Sequence, residues 1–481
     1  MFDKAKYLAA ASAVEYGVQL LVPVYLVRTL SHEDFASYRF MWLLAGTLTG
    51  TLLLGFPASL YYFVPRVPAE RQFGYVAQTA AFSALLAAFA CAVLLGVALA
   101  WPGIDMLRLL PQPLGAFVAF LVLVAATNLL DYLPAARAEI EVQAAFNLGN
   151  ALWRAACILA GASIGSIAAV CWALLVYATG RFVLQAVYVA RSMPLHDGGF
   201  DRLRFRTQFA YAAPFGIASG FWALRGQAEQ WVGAGLLAPR AYASLSIAGS
   251  ITPIVMLVHQ AITASSVSAI NRLESQGDVT GMAQINARAN VLAASYLFPV
   301  LTFFFVTSGP LFRLVYTASY ADAALVTKLL CIGFIASAIE VSTLTKALRM
   351  RRAVLLFDAS MLGISVAASV AGALVFGLVG VVLGSVISRY VSTAYFVTVL
   401  VRRTGVPLAR FQHWGELARY FGAACLAGSV GWLALGWAAS SFGLIAQIAA
   451  STIAMVLTYL PLVRLLGLPV LGFAHGAVIA R

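Results

Sequence analysis

The sequence predicts an all-α polytopic membrane protein of about fourteen transmembrane helices, on three observations. Its 481 residues are 62% hydrophobic and only 10% charged, against roughly 45–50% and about 25% in soluble domains. That excludes a water-soluble globular protein, and disordered, collagen-like and disulfide-stapled chains with it. The apolar runs are long enough for helices of about 20 residues, which cross a hydrocarbon core of about 30 Å, and not for the alternating ten-residue strands of an outer-membrane barrel. The basic residues, finally, gather between the runs and mostly on one side of them.

Charged and Pro/Gly-rich breaks divide the chain into cores near 8–28, 38–62, 75–100, 114–135, 145–163, 166–190, 209–234, 241–269, 287–307, 323–346, 354–374, 377–401, 417–438 and 443–464. The first is long enough to span and has no small-residue cleavage site after it, so it reads as a retained helix rather than a signal peptide. The turns near 163/166 and 374/377 are short enough to leave a fused count of twelve or thirteen open. Five cysteines (Cys91, Cys157, Cys171, Cys331, Cys425) fall in apolar runs without metal-ligand spacing and read as small packing residues.

The net charge is +13, from 31 Lys+Arg against 18 Asp+Glu. In a soluble protein this excess would suggest nucleic acid; in a membrane protein it follows from the positive-inside rule. With the N-terminus inside, 21 basic residues fall on inner loops and ends, among them Lys4, Lys6, Arg66, Arg137, Arg191, Arg202, Arg351, Arg403 and Arg481, and six fall outside. That split puts both termini in the cytoplasm, in an inner-membrane protein with no nucleic-acid partner. The remaining four, Arg154, Arg181, Arg225 and Arg389, lie inside spans.

No loop exceeds about 20 residues, so function must be carried within the membrane. The longest inner loop, about 191–208, reads as a linker between two halves, and an internal repeat supports the division. Leu30–Ser37 aligns with Leu237–Ser244 at an offset of 207, Gly180-Arg181-Phe182 with Ser388-Arg389-Tyr390 at 208, and Asp131 with Glu340 at 209. Six spans per half makes the halves parallel repeats. The expected domains are an N-terminal six-helix lobe over 1–195, a basic linker over 196–208, a C-terminal six-helix lobe over 209–403, and two extra helices with a cytoplasmic tail over 404–481.

At this point the residues resemble a family. The stretches VPVYLVRTLSHEDFASYRFMW (23–42), FAYAAPFG (209–216) and LFRLVYTASYADAALVTKLL (311–330) look like the polysaccharide or O-antigen flippase (Wzx-like) family, of the superfamily that includes the MATE exporters. The likeness covers roughly residues 1–400. Two departures are visible: Ala36 stands where the family often has Gly, and Glu229-Gln230 where it often has Asp and a basic residue. The resemblance implies a two-lobed, V-shaped, MATE-like transporter that carries polyprenyl-diphosphate-linked oligosaccharides to the outer leaflet for cell-surface polysaccharide such as O-antigen or exopolysaccharide. It also implies membrane lipids, a polysaccharide polymerase and export machinery as partners.

The intramembrane charges stand beside that likeness. A helix-centre Arg costs about 2.5–3.5 kcal/mol on insertion scales, so such residues face a cavity or a partner. Planar guanidinium forks suit a diphosphate, which makes Arg154, Arg181, Arg225 and Arg389 the candidate diphosphate-binding residues around a central cavity, with Arg181 and Arg389 at matching depths. The plainer readings are pairing of Arg225 with Glu229 one turn away, of Arg154 with Asp131 or Glu340, and snorkelling of Arg181 and Arg389 to the inner interface. Glu15, Glu229 and Glu340 are candidate ion-coupling residues, because a desolvated carboxylate can carry a proton; the plainer reading of Glu15 is a pair with an Arg of another helix. Asp131 and Asp358 read as partners of loop arginines, and His259 as a packing residue. Pro23 and Pro214, in the first helix of each half, are candidate gating hinges or static kinks. Gly46-xxx-Gly50, Gly161-xxx-Gly165 and Gly380-xxx-Gly384 read as close helix contacts. Tyr61, Tyr62 and Trp101 fit an interfacial belt better than sugar stacking.

No catalytic triad, metal-ligand spacing or nucleotide loop occurs, so the protein reads as a non-enzyme without a cofactor or metal, and a H+ or Na+ gradient is the available energy source. Two other functions weigh against the flippase reading. A cation-coupled MATE-type multidrug exporter should have a net acidic interior, whereas four deep Arg face three deep acids here. A membrane-embedded glycosyl polymerase or ligase should have a sizeable outer loop and no reason for the repeat.

Overall fold

The structure, a computed structural model, describes residues 2–101, 103–195, 199–440 and 442–469. They form helices and turns, with no strand among them, as expected where lipid offers a backbone no hydrogen-bond partner. The chain folds as two compact units, Met1–Ala243 and Ser244–Arg481.

The first unit holds α1 (Phe2–Thr29), α2 (His32–Thr47), α3 (Leu60–Phe63), α4 (Ala69–Ala100), α5 (Leu114–Thr127), α6 (Leu133–Ala136), α7 (Ile140–Ala162), α8 (Ile167–Ser192), α9 (Arg202–Leu236) and the start of α10 (Pro239–Ala248). The second continues through α11 (Thr252–Gln276), α12 (Val279–Tyr316), α13 (Asp322–Ile335), α14 (Ser342–Ala347), α15 (Arg351–Thr404), α16 (Leu408–Phe411), α17 (Trp414–Ala439) and α18 (Leu444–Leu465). Most of each core expected from the sequence falls on helix. Among the described residues eight helices are long and apolar enough to cross a membrane, or nine with one bent pair. α15 is two helices meeting at Gly377, whose φ of 57° and ψ of −131° only glycine adopts freely. Gly372 meets the backbone of Gly380 there, and Gly384 that of Ala368.

Several spans are broken, and the breaks repeat. The second span bends by 47° between His32–Leu52 and Pro57–Arg66. Its bend comprises a π-helical turn at Leu48–Leu52 and left-handed Leu54 and Gly55. In the fourth span α5 tightens into a 3-10 turn, Asn128–Asp131, and restarts as α6. In the second unit, α13 tightens at Ala336–Ala338 and restarts as α14. α5 and α13 have 14 residues each and lie 208 apart at both ends, and α2 and α10 begin 207 apart.

Two boundaries differ from the sequence reading. Asp201 accepts hydrogen bonds from the Leu203 and Arg204 amides and caps α9, so helix begins at Arg202, and 202–208 is not linker. In addition, α9 belongs to the first unit rather than opening the second. Residues 196–198 and the tail from 470, including Arg481, lie outside the described residues, as do the side chains of Lys4, Lys6, Arg351 and Arg352.

α9 packs tightly within the first unit. A Cβ on Gly216 would overlap the Leu54 carbonyl group, and one on Gly220 would fall 2.8 Å from Thr51. Below that crossing Gln208 Nε2 donates to Ser59 Oγ (2.8 Å) and Thr79 Oγ1 (2.9 Å); above it Thr47 Oγ1 donates to Gln227 Oε1 at 2.7 Å and accepts from Trp231 Nε1. Gly46 meets Gln227, Gly50 meets Ala223 and Gly161 meets α8, so those glycines do mark close contacts, whereas Gly165 serves a turn at φ 78°. Pro214 sits in α9 two residues before the crossing, and Pro23 inside α1. In the second unit α17 and α18 pack on α12, where Tyr459 donates to the Ser295 carbonyl at 2.9 Å. Four cysteines are buried as packing residues; Cys425 is exposed, against expectation.

Candidate functional site

The break in the fourth span sets the first polar cluster. Tightening a helix into a 3-10 turn releases carbonyls from i→i−4 bonding, and side chains take them up. Arg181 Nη2 donates to the Thr127 carbonyl at 3.1 Å, Gln185 Nε2 to that of Ala126 at 3.3 Å, and Gln143 Nε2 to that of Leu130 at 3.1 Å. Arg181 also donates to Asp131 Oδ2 at 2.8 Å and to the Tyr177 hydroxyl at 3.4 Å. The Arg181 side chain is buried, 8% exposed, while that of Asp131 is 42% exposed. Arg181 therefore does not snorkel, and Asp131 pairs with an intramembrane arginine instead of a loop arginine. Tyr132, next along the chain, meets the Tyr61 ring edge-to-face at 5.6 Å.

Arg154 turns to another face. Its Nη2 lies 3.5 Å from Glu15 Oε1, with the side chains 15% and 37% exposed, and its guanidinium stands 5.4 Å from the Trp42 ring centre. The partner is Glu15 of α1, not Asp131 or Glu340. The plainer reading of Glu15 is the one the contact matches.

The corresponding break in the second unit uses its acid differently. Glu340 Oε1 accepts from the Ser342 amide at 2.7 Å and Oε2 from Thr343 Oγ1 at 3.4 Å, so its carboxylate caps α14. Asn290 Oδ1 accepts from the Glu340 amide, Asn286 Nδ2 donates to the Glu340 carbonyl, and Asn290 donates onward to Gln412. His259 on α11 has a buried Nε2 with no hydrogen-bond partner among the described residues.

The other two arginines lie apart from these pairs. The Arg389 guanidinium stands 4.4 Å from the centre of the Phe334 ring, with its Cδ beside Gly333. Arg181 lies 16 residues past the positive-φ Gly165, and Arg389 12 past Gly377. Arg225 and Glu229 sit one turn apart on α9, with Glu229 buried. Thus Arg154 and Arg181 each meet an acid of their own unit and face different helices rather than one another. Among the described residues no three His, Cys, Asp or Glu converge on a metal position.

The sequence reading missed Thr127, Gln185, Asn286, Asn290 and Gln412. They are ordinary polar residues, four on helices and Gln412 just past the end of α16, and only the breaks show why they are needed. The signal available was Asn128 and Asp131 close together near the end of an apolar run, a pairing that favours turns over helix.

No family model and no curated protein matches this chain by sequence. Solved structures do match by shape. A multidrug resistance MATE-family transporter of the MOP superfamily, in its inward-facing conformation, superposes with a TM-score of 0.63 at 13% identity, over 81% of this chain and 94% of that one. The lipid II flippase MurJ, inward closed, superposes at 0.68 and 11% identity, over 97% of this chain and 100% of that one. A MOP-superfamily transporter from Pyrococcus furiosus gives 0.56 at 13% identity, over 84% and 95%. At such identities the likeness is one of fold, and this chain is a multi-pass helical membrane protein with the MATE- and MurJ-like fold.

Proposed function

We propose that this protein is a flippase that moves polyprenyl-diphosphate-linked oligosaccharides across the cytoplasmic membrane for cell-surface polysaccharide synthesis. The observation that carries the reading is coverage: the MurJ likeness runs over 97% of the chain, whereas the multidrug MATE likeness leaves about a fifth unmatched. MurJ is described as a lipid II flippase, and the sequence resemblance to Wzx-like proteins points to the same substrate chemistry. In this reading the chain has about fourteen spans, with both termini cytoplasmic, and works by alternating access.

Arg154, Arg181, Arg225 and Arg389 remain the candidates to meet the diphosphate; Arg154 and Arg181 would do so while paired with Glu15 and Asp131. Glu15, Glu229 and Glu340 remain the ion-coupling candidates for a H+ or Na+ gradient. Glu340 is the weakest of them, since its carboxylate caps a helix. The test is loss and rescue of surface polysaccharide in cells lacking the gene, run beside a panel of cationic drugs. Lost polysaccharide with unchanged drug sensitivity supports the flippase; normal polysaccharide with hypersensitivity to cationic drugs supports the exporter and sinks it.

A further inference from the structure

The corner where the second and fourth spans break carries a pair of aromatic rings that neither the diphosphate nor the coupling ion uses. Tyr61, on α3, is 48% exposed, and its ring touches Tyr132 only edge-on. Tyr132 adjoins Asp131, whose side chain is 42% exposed beside the buried Arg181. A carboxylate that accessible within a span faces an aqueous space and not lipid, because lipid exposure of charge is costly. The half-exposed Tyr61 side chain lies beside it, against Tyr132. Neighbouring Tyr62 makes the contrast: Arg66 stands 3.8 Å over its ring and Tyr211 stacks on it at 4.3 Å, so its faces are taken.

An apolar ring face next to an accessible carboxylate matches one class of ligand well. A pyranose presents a face of C–H bonds that packs on an aromatic ring, and hydroxyls at its edge that donate to a carboxylate. We propose that Tyr61, Tyr132, Asp131 and Arg181 form a hexopyranose-binding subsite, with Tyr61 as the stacking platform, Asp131 as the hydroxyl acceptor and Arg181 holding Asp131 in place. It rests on the flippase reading and assigns the sugar portion of the substrate to the first unit. An interfacial aromatic belt, by contrast, would treat Tyr61 and Tyr62 alike.

The experiment is saturation-transfer NMR on the full chain in phospholipid nanodiscs free of sugar detergents, with methyl gluco-, galacto- and mannopyranosides as probes. At least one probe should show transfer to its ring C–H protons. Tyr61→Ala should weaken that binding by roughly two- to tenfold, Tyr61→Phe should keep it, and Tyr62→Ala should leave it unchanged. Tyr61→Leu, which keeps apolar bulk without a ring face, should behave as Tyr61→Ala and guards against a folding defect. No transfer with any probe, unaltered binding in Tyr61→Ala and Tyr61→Leu, or equal loss in Tyr62→Ala overturns the subsite. Flipping measured separately keeps the two readings apart: transfer without flipping breaks the flippase reading alone, and flipping without transfer breaks the subsite alone.

Discussion

Gly216→Ala should be among the most damaging single-methyl additions in the first unit. The added Cβ would overlap the Leu54 carbonyl group and lie 2.5 Å from the Leu54 Cα. Ordinary carbon contacts begin near 3.5 Å, so α9 and the Leu54 backbone would have to part by at least about 1 Å. Leu54 and Gly55 cannot simply rotate aside, since both already hold positive φ, at 51° and 66°. Overpacking of this kind costs about 1–3 kcal/mol. Stretching the hydrogen bonds of Gln208 and Gln227 on either side of the crossing adds about 0.5–1.5 kcal/mol for each bond lost. Gly226 on the same helix has nothing within 4 Å of its would-be Cβ, so Gly226→Ala should be neutral or stabilising by about 0.5–1 kcal/mol. The assay is the thermal midpoint for loss of monodisperse elution in detergent, with the two variants side by side. A Gly216→Ala midpoint equal to or above that of Gly226→Ala would refute the packing argument.

Other expectations follow from the pairs and breaks. Asp131→Asn leaves Arg181 buried without its counter-charge and should cost about 2–4 kcal/mol, below the full-burial figure because Asp131 is half exposed; adding Arg181→Met should recover part of it in a double-mutant cycle. Glu15→Gln should cost less than Asp131→Asn in the same assay, since its contact with Arg154 is 3.5 Å and partly exposed. Gly377→Ala should cost about 1–3 kcal/mol, because φ 57° with ψ −131° is strained for any residue with a Cβ. Glu340→Asn should keep most of the stability that Glu340→Ala loses, about 1 kcal/mol, because Asn also caps a helix; if Asn and Ala are equally destabilised, capping is not what Glu340 supplies.

That the chain is helical throughout, and roughly where its helices lie, was readable in the sequence because both depend on local apolar length. The breaks were not, as 114–135 shows: its apolar content runs through the turn at Asn128–Asp131, and what stabilises that turn comes from Arg181, Gln185 and Gln143 on other helices. Pairing was hidden for a related reason. Glu15 and Arg154 lie 139 residues apart, and which helix faces meet decides the partner. The repeat showed both the reach and the limit of the pattern. An offset near 208 matched α5 with α13, yet it also matched Arg181 with Arg389, which meet different partners, Asp131 and the Phe334 ring. Tyr61 and Tyr62 looked equivalent as neighbours, and only the ring contacts separate an open face from a covered one.

The central claim is most directly tested by reconstituting the protein in liposomes with a fluorescent polyprenyl-diphosphate oligosaccharide and measuring its quenching by a membrane-impermeant reductant. The account predicts that the protein speeds exchange of this lipid between leaflets, that the matching phospholipid without the diphosphate sugar is not moved, and that Arg225→Ala and Arg389→Ala variants that still elute as folded protein slow it. Leaflet exchange no faster than in empty liposomes, or undiminished in both variants, would contradict it.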